Sequence, residues 1–241
     1  MILVCYNHIC KLVIDMWLSE VFTENELKEK TRNLYRSCRG NNKAIVDRFE
    51  EFFGISYKLA FGNVNPEMCL TDLLNEYYQN ESYIKDSFSA KYLKNDNPIY
   101  EYPIKDSRAD IVNVCDNLEC YEIKTRYDNL SRLRKQLEDY SKAFEFIYVV
   151  CSEDKYDDIR KIVPNYCGII SYKNRKNCRF SKRDNAAKSP NFNINDVLNC
   201  FNKKELNKYF GLCDRNKISI EHSKQDIVCM YKTMLRERYF A

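Results

Sequence analysis

The chain has 241 residues, 44% of them apolar and 31% charged, and a net charge of +4. These proportions suit a folded globular protein and exclude a disordered polyelectrolyte, and no apolar run reaches the ~20 residues needed to cross a bilayer. Twelve cysteines occur without paired spacing or a CxxC, beside only His8 and His222, so neither a disulfide framework nor a zinc site is expected; composition does not exclude an iron–sulfur cluster, but no clustered cysteine spacing supports one.

Cys10, Cys69, Cys151, Cys167 and Cys229 lie among apolar neighbours and read as reduced, mostly buried thiols of a cytoplasmic protein,. The opening "MILVCYNHICKLVIDMWLSE" is apolar but is broken by Asn7, His8, Lys11 and Asp15. It has no charged start followed by an uninterrupted apolar core, so a buried amphipathic helix or strand is expected, not a signal peptide. Residues 1–79 then read as a helical extension. "TENELKEKTRNLYRSC" opens with Thr23 and Glu26 as a capping box, "NNKAIVDRFEEFFG" stops at Gly54, and "CLTDLLNEYYQ" has leucines and tyrosines at helical spacing,.

From residue 80 the texture changes. "NESYIKDSFSAKYL" is a helix capped by Asn80, and "PIYEYPI" is a strand whose prolines suit a sheet edge,. "RADIVNVCDNLECYEIK" is a hairpin, "DNLSRLRKQLEDYSKAF" a helix, and "EFIYVVCS" a buried strand. "EDKYDDIRKIV" and "YCGIISY" add a short helix and another strand, so residues 80–172 predict a mixed α/β sheet. Residues 173–241 read as a basic loop followed by C-terminal helices packing on that core. The loop holds Lys173, Arg175, Lys176, Arg179, Lys182, Arg183 and Lys188 against Asp184 alone. It reads first as a solvated loop and second as a nucleic-acid contact.

Three charges interrupt the apolar hairpin. Strand alternation puts Glu122 and Lys124 on one face with Ile123 opposite. A two-residue turn at Asp116-Asn117 would put Asp110 across from Ile123; a three-residue turn, Cys115-Asp116-Asn117, puts it across from Glu122. The longer turn is preferred, because Asn117 tolerates a left-handed backbone. Two adjacent carboxylates repel unless a cation lies between them. On the preceding helix Glu81 shares the face of Ile84, Phe88 and Tyr92, a poor choice for packing and a good one for an oxygen ligand of Mg²⁺.

An Asp, then E-x-K across a hairpin, after a helix with an inward Glu, resembles the PD-(D/E)XK nuclease superfamily, with Ala109 where the strict motif has proline. Gln136 and Tyr140 fit the Q-x-x-x-Y helix of its RecB-like branch. The stretch "YEIKTRYDNLSRLRKQLEDY" resembles a bacterial and phage group with E-I-K, then Asp, then R-L-x-x-Q-x-x-x-Y. The resemblance covers residues 80–172 and implies an αβββαβ restriction-endonuclease-like core with helical additions at both ends. It implies Mg²⁺ or Mn²⁺ on Asp110, Glu122 and the Ile123 carbonyl, with Glu81 as an outer or second ligand and Lys124 orienting or deprotonating the attacking water and offsetting charge on the phosphate. Phosphodiester hydrolysis, of DNA in preference to RNA, is the implied activity.

Gln136 and Tyr140 would hold the substrate or the lysine strand. Arg132, one turn earlier, and Lys173, Arg175 and Lys176 would contact phosphate or be solvated, and Asp128 would cap the helix. The rival readings are a degenerate nuclease fold that binds nucleic acid or protein without cleavage, and an α/β scaffold with a surface charge cluster.

Overall fold

Helix starts and stops follow the local capping chemistry. In the computed structural model, residues 16–38, 41–78, 81–93, 97–173 and 178–240 are described; residues 1–15 of the apolar N-terminus and Asn80 fall outside them, while residues 16–21 are helical with Leu18 buried. Helix α1 (Glu24–Cys38) follows Thr23, whose hydroxyl accepts from the Glu26 N–H while the Glu26 carboxylate accepts from the Thr23 N–H at 2.8 Å, the expected capping box. Helix α2 (Asn42–Phe53) ends at Gly54, left-handed at φ 73°,. Helices α3 (Tyr57–Phe61) and α4 (Pro66–Leu73) follow, capped by Ser56 and Asn65. The single helix expected through residue 79 changes to a π-turn at Leu74–Tyr78. Leu27, Leu34, Phe49, Phe53, Tyr57 and Leu70 make a separate apolar core, within a compact unit spanning Met1–Tyr83.

The second unit, Ile84–Ala241, is built on a six-stranded sheet. Helix α5 (Glu81–Phe88) and a π-turn (Ser89–Leu93) precede strands β1 (Ile99–Ile104), β2 (Ser107–Val114) and β3 (Leu118–Lys124). Then come α6 (Leu133–Ser141), β4 (Phe146–Ser152), α7 (Tyr156–Ile162), β5 (Gly168–Lys173) and β6 (Arg179–Asp184). Spatial order equals chain order; β3–β4 and β4–β5 are parallel and the other pairs antiparallel. An α/β fold with a mixed sheet is therefore present. Where a loop was expected, residues 179–184 form a strand. Its side chains are mostly exposed, so backbone pairing with β5 holds it and no apolar alternation announces it.

Alternation along β3 and β4 sends Cys120, Ile147, Val149 and Cys151 to one sheet face. There α6 packs Leu133, Leu137 and Tyr140, and α7 adds Ile159. The C-terminal helices complete the same core. Two of these are α8 (Ile194–Asn199) and α9 (Lys203–Phe210), separated because Asn202 and Glu205 form a second capping box,. Helices α10 (Arg215–Glu221) and α11 (Lys224–Phe240) follow; the Tyr231 and Tyr102 hydroxyls meet at 3.1 Å inside the core. On the other sheet face Phe88 of α5 packs its ring on Tyr121, and Tyr121 stacks on Tyr148.

Of the cysteines named from the sequence, Cys69, Cys151 and Cys167 are buried free thiols. Cys229 is exposed on α11, two residues from both Ile227 and Tyr231 of that helix's buried stripe; Cys10 lies outside the described residues. No helix among the described residues is long and apolar enough to cross a membrane.

Gly168 starts β5 beneath Tyr148. A Cβ there would run into that ring and come within 2.8 Å of the Ala186 backbone nitrogen. Since Tyr148 is already stacked on Tyr121, Gly168→Ala should cost about 1–3 kcal/mol, the usual range for overpacking. Urea unfolding at constant m-value measures this; an unchanged midpoint would mean that ring and strand yield freely.

Candidate functional site

The turn between β2 and β3 is the longer one. The register pairs Val114 with Leu118 and Ile111 with Tyr121, so the loop is Cys115-Asp116-Asn117 and the count carried one step further sets Asp110 opposite Glu122. The paired ladder ends at Ile111–Tyr121, and beyond it the strands fork. At the fork the Asp110 side chain supplies what the missing backbone partner would have. Its Oδ2 accepts the Ile123 N–H at 2.6 Å.

Glu122 is 2% exposed, so its charge has to be met from within. Its Oε1 accepts from Lys124 Nζ and from Gln136 Nε2, each at 2.6 Å, and its Oε2 from the Tyr140 hydroxyl at 2.7 Å. Lys124 also donates to Gln136 Oε1 at 3.2 Å. The four-residue spacing of Gln136 and Tyr140 places both on the α6 face that meets β3. Tyr140 was a candidate substrate contact. Its ring is fully buried and its hydroxyl lies 2.7 Å from both Glu122 and the Arg108 carbonyl, so it offers no surface to a substrate and instead fixes the glutamate.

Asp110 is provided for differently. Its Oδ1 receives the Lys85 ammonium at 2.8 Å, and the same ammonium also binds Glu101. Glu101 in turn accepts from Arg108 at 2.6 Å. Burial, and then the neighbouring Glu122 charge, push the Asp110 carboxyl above the ordinary carboxylate range, and they outweigh Lys85 and the Ile123 N–H, which pull it down,.

Lys85 and Glu101 are the site residues that sequence reasoning missed. Glu101 carried the signal used for Asp110, a charge inside an apolar strand, but it sits in a backbone irregularity at φ 56°. That irregularity hides its alignment beside Asp110. Lys85 follows Ile84 on α5, a position that reads as solvated, yet it is 8% exposed.

Glu81, the first residue of α5, is exposed, yet it offers a carboxylate oxygen within 4.8 Å of those of Glu101 and Asp110, in keeping with its expected inward place. The remaining candidates are peripheral. Arg132 is exposed immediately before α6. Asp128 does not cap α6, which starts later at Leu133; its Oδ2 accepts instead from the Thr125 N–H at 2.6 Å and the Thr125 hydroxyl at 2.7 Å, closing a local turn. Lys173 ends β5, exposed and 3.3 Å from Glu153. Arg175 and Lys176 lie outside the described residues.

The fold and the site together define an α/β protein whose mixed sheet carries a buried, lysine-compensated carboxylate pair at a strand fork. The chain belongs to the bacteriophage P4 protein cII family, whose model matches residues 73–240. Protein cII of Enterobacteria phage P4 is 31% identical over 74 residues, 30% of this chain and 28% of that protein, so the likeness spans under a third of the relative's length. Among solved structures, a protein of unknown function from Silicibacter pomeroyi overlaps 64% of this chain and 88% of its own, at 10% identity and a TM-score of 0.35, too low to carry an argument.

Two predictions test these electrostatics. Tyr140→Phe removes a donor from a buried carboxylate and should cost about 1–3 kcal/mol in denaturant unfolding; a neutral result would show that Glu122 finds another donor. For Asp110 the native state holds its proton more tightly than the unfolded chain does, whose ordinary value is 3.8. Ionisation therefore opposes folding, and stability rises as pH falls from the raised value toward 3.8. Asp110→Asn, in metal-free buffer, should be as stable as the wild type or more so at alkaline pH, with the difference vanishing below 3.8. Marked destabilisation at alkaline pH would make Asp110 a structural ion-pair partner.

Proposed function

We propose that the chain is a Mg²⁺- or Mn²⁺-dependent nuclease of the PD-(D/E)XK kind, hydrolysing phosphodiester bonds of DNA in preference to RNA in the cytoplasm, in phage or bacterial DNA metabolism or defence. One observation carries the reading: Asp110 stands opposite Glu122 at the β2–β3 fork, accepting the Ile123 N–H, with the Lys124 amine 2.6 Å from Glu122. The succession α5–β1–β2–β3–α6–β4, three antiparallel strands and then a parallel one, supports it.

The donor set fits a hard divalent cation. Both partners are carboxylates, and burial, followed by the neighbouring Glu122 charge, raises the Asp110 carboxyl above its ordinary range,. Asp110, Glu122 and the Ile123 carbonyl would hold the ion, with Glu81, on the helix that carries Lys85, as an outer ligand. A bound ion would supply a polarised phosphoryl oxygen and a more acidic water. Lys124 orients that water and offsets charge developing on the phosphate. Gln136 aligns Lys124 by accepting from it, and Tyr140 keeps Glu122 in place. Arg132, Lys173, Arg175 and Lys176 are the proposed phosphate contacts.

A second reading has an observation of its own. The ammonium of Lys85 already neutralises Asp110, which suits a fold that has kept its charges and lost its chemistry, binding nucleic acid or protein without cutting. Incubating the protein with labelled single- and double-stranded DNA and RNA, in Mg²⁺, Mn²⁺ or EDTA, separates the two. Cleavage suppressed by EDTA is expected, and Lys124→Ala should lower turnover by ~10²-fold or more while affinity is largely retained. Intact substrates in every condition would favour the binding module. Cleavage indifferent to Lys124→Ala would put the active site elsewhere.

A further inference from the structure

Two sides of the Asp110 carboxylate are treated unequally. Toward β3 it meets Glu122 and the Ile123 N–H. Toward β1 it meets Glu101, and between these two acids stands the ammonium of Lys85. Three strands thus bring three acids into one row, because the β1 register runs Tyr100 to Ile111 and Tyr102 to Ala109, leaving Glu101 beside Asp110. Of the two gaps in this row, the one at Glu101, to which Glu81 also brings a carboxylate oxygen within 4.8 Å of those of Glu101 and Asp110, already holds a cation, the Lys85 ammonium.

We propose that Lys85 is a resident cation in the Asp110–Glu101 gap, restricting divalent metal to the Asp110–Glu122 gap. The inference rests on the reading of Asp110 as a cation ligand and adds to it the number of ions the site accepts. The ammonium is not a long side chain folded back from solvent: Lys85 is 8% exposed, on a helix anchored by fully buried Ile84 and Phe88 on either side of it. An ammonium shares the charge sign of a divalent ion, brings one positive charge instead of two, and donates hydrogen bonds where the metal would accept lone pairs. It therefore satisfies two carboxylates while offering no open coordination position to a phosphate or a water. The Arg108 guanidinium on Glu101 closes the outer side of that gap.

The test counts bound Mn²⁺ by electron paramagnetic resonance and titration calorimetry on the full chain, with no substrate present. Lys85→Met keeps most of the stem's bulk and removes the charge; Lys85→Gln keeps donors for both acids and guards against misfolding of the first variant. Each variant should bind one more Mn²⁺ per chain than the wild type does, and adding Glu101→Gln should abolish that extra ion. Mn²⁺ should also raise the melting temperature of Lys85→Met more than that of the wild type, since the metal replaces a lost cation. The same number of ions in variant and wild type, including none in both, overturns the proposal. So does an extra ion that survives Glu101→Gln. Cleavage is scored separately: an extra ion without any cleavage would uphold the role of Lys85 and defeat the nuclease reading. Cleavage without an extra ion would do the opposite.

Discussion

Glu122 is the residue around which this part of the fold is arranged. An ionised carboxylate that is 2% exposed carries a desolvation cost of several kcal/mol unless its lone pairs are met. Here they are met by residues from two elements: Lys124 from its own strand, and Gln136 and Tyr140 from α6. The crossover helix between β3 and β4 is therefore fixed in both rotation and height by the acid it covers. Leu133 and Leu137 provide the apolar area, but apolar contact alone would tolerate a slide along the strand that these hydrogen bonds do not. Asp139, on the same helix, adds a polar tie to β2 by accepting from the Ser107 hydroxyl at 2.7 Å.

The two acids at the fork then differ in kind. Glu122 is saturated with donors and acts as part of the scaffold. Asp110 has one N–H and one ammonium, and its ionised form is still disfavoured by burial and by its neighbour. The asymmetry comes from the fork. Where β2 and β3 are paired, backbone groups satisfy one another; where they separate, a side chain has to serve Ile123, and the only one in place is a carboxylate. A site of this kind combines a rigid wall with an undercompensated charge, which is the arrangement expected where a ligand's own charge completes the structure.

Much of this could be read from residue spacing. Strand parity put Glu122 and Lys124 together, and the choice of a three-residue turn, argued from Asn117, put Asp110 opposite Glu122. Helical spacing put Gln136 and Tyr140 on one face, although it could not show that the phenol would be spent on Glu122. What escaped did so for physical reasons. Lys85 needs a three-dimensional fit between a helix and a strand fork, which no periodicity encodes. Glu101 is displaced by a left-handed residue in mid-strand, so counting by twos gives the wrong neighbour. Strand β6 has mostly exposed side chains and no apolar alternation, so its sequence pattern does not announce it. Helix length was overread where a π-turn interrupts otherwise continuous periodicity, as at Leu74.

The sheet's two margins, β1 and β6, have a bearing on how the molecule behaves among its own copies. An open sheet edge is a template for another strand, and flat apolar edges invite stacking of chain upon chain. On one margin Pro103 lacks an amide hydrogen and Glu101 turns the backbone left-handed, so a visiting strand would find its ladder broken twice within three residues,. On the other, Arg179, Lys182 and Arg183 are exposed, and two copies brought edge to edge would bring like charges together, although Lys182 also lies over the Tyr148 ring and Arg183 over that of Tyr156. Both margins work against edge-to-edge pairing that would make a six-stranded sheet the first layer of a fibre.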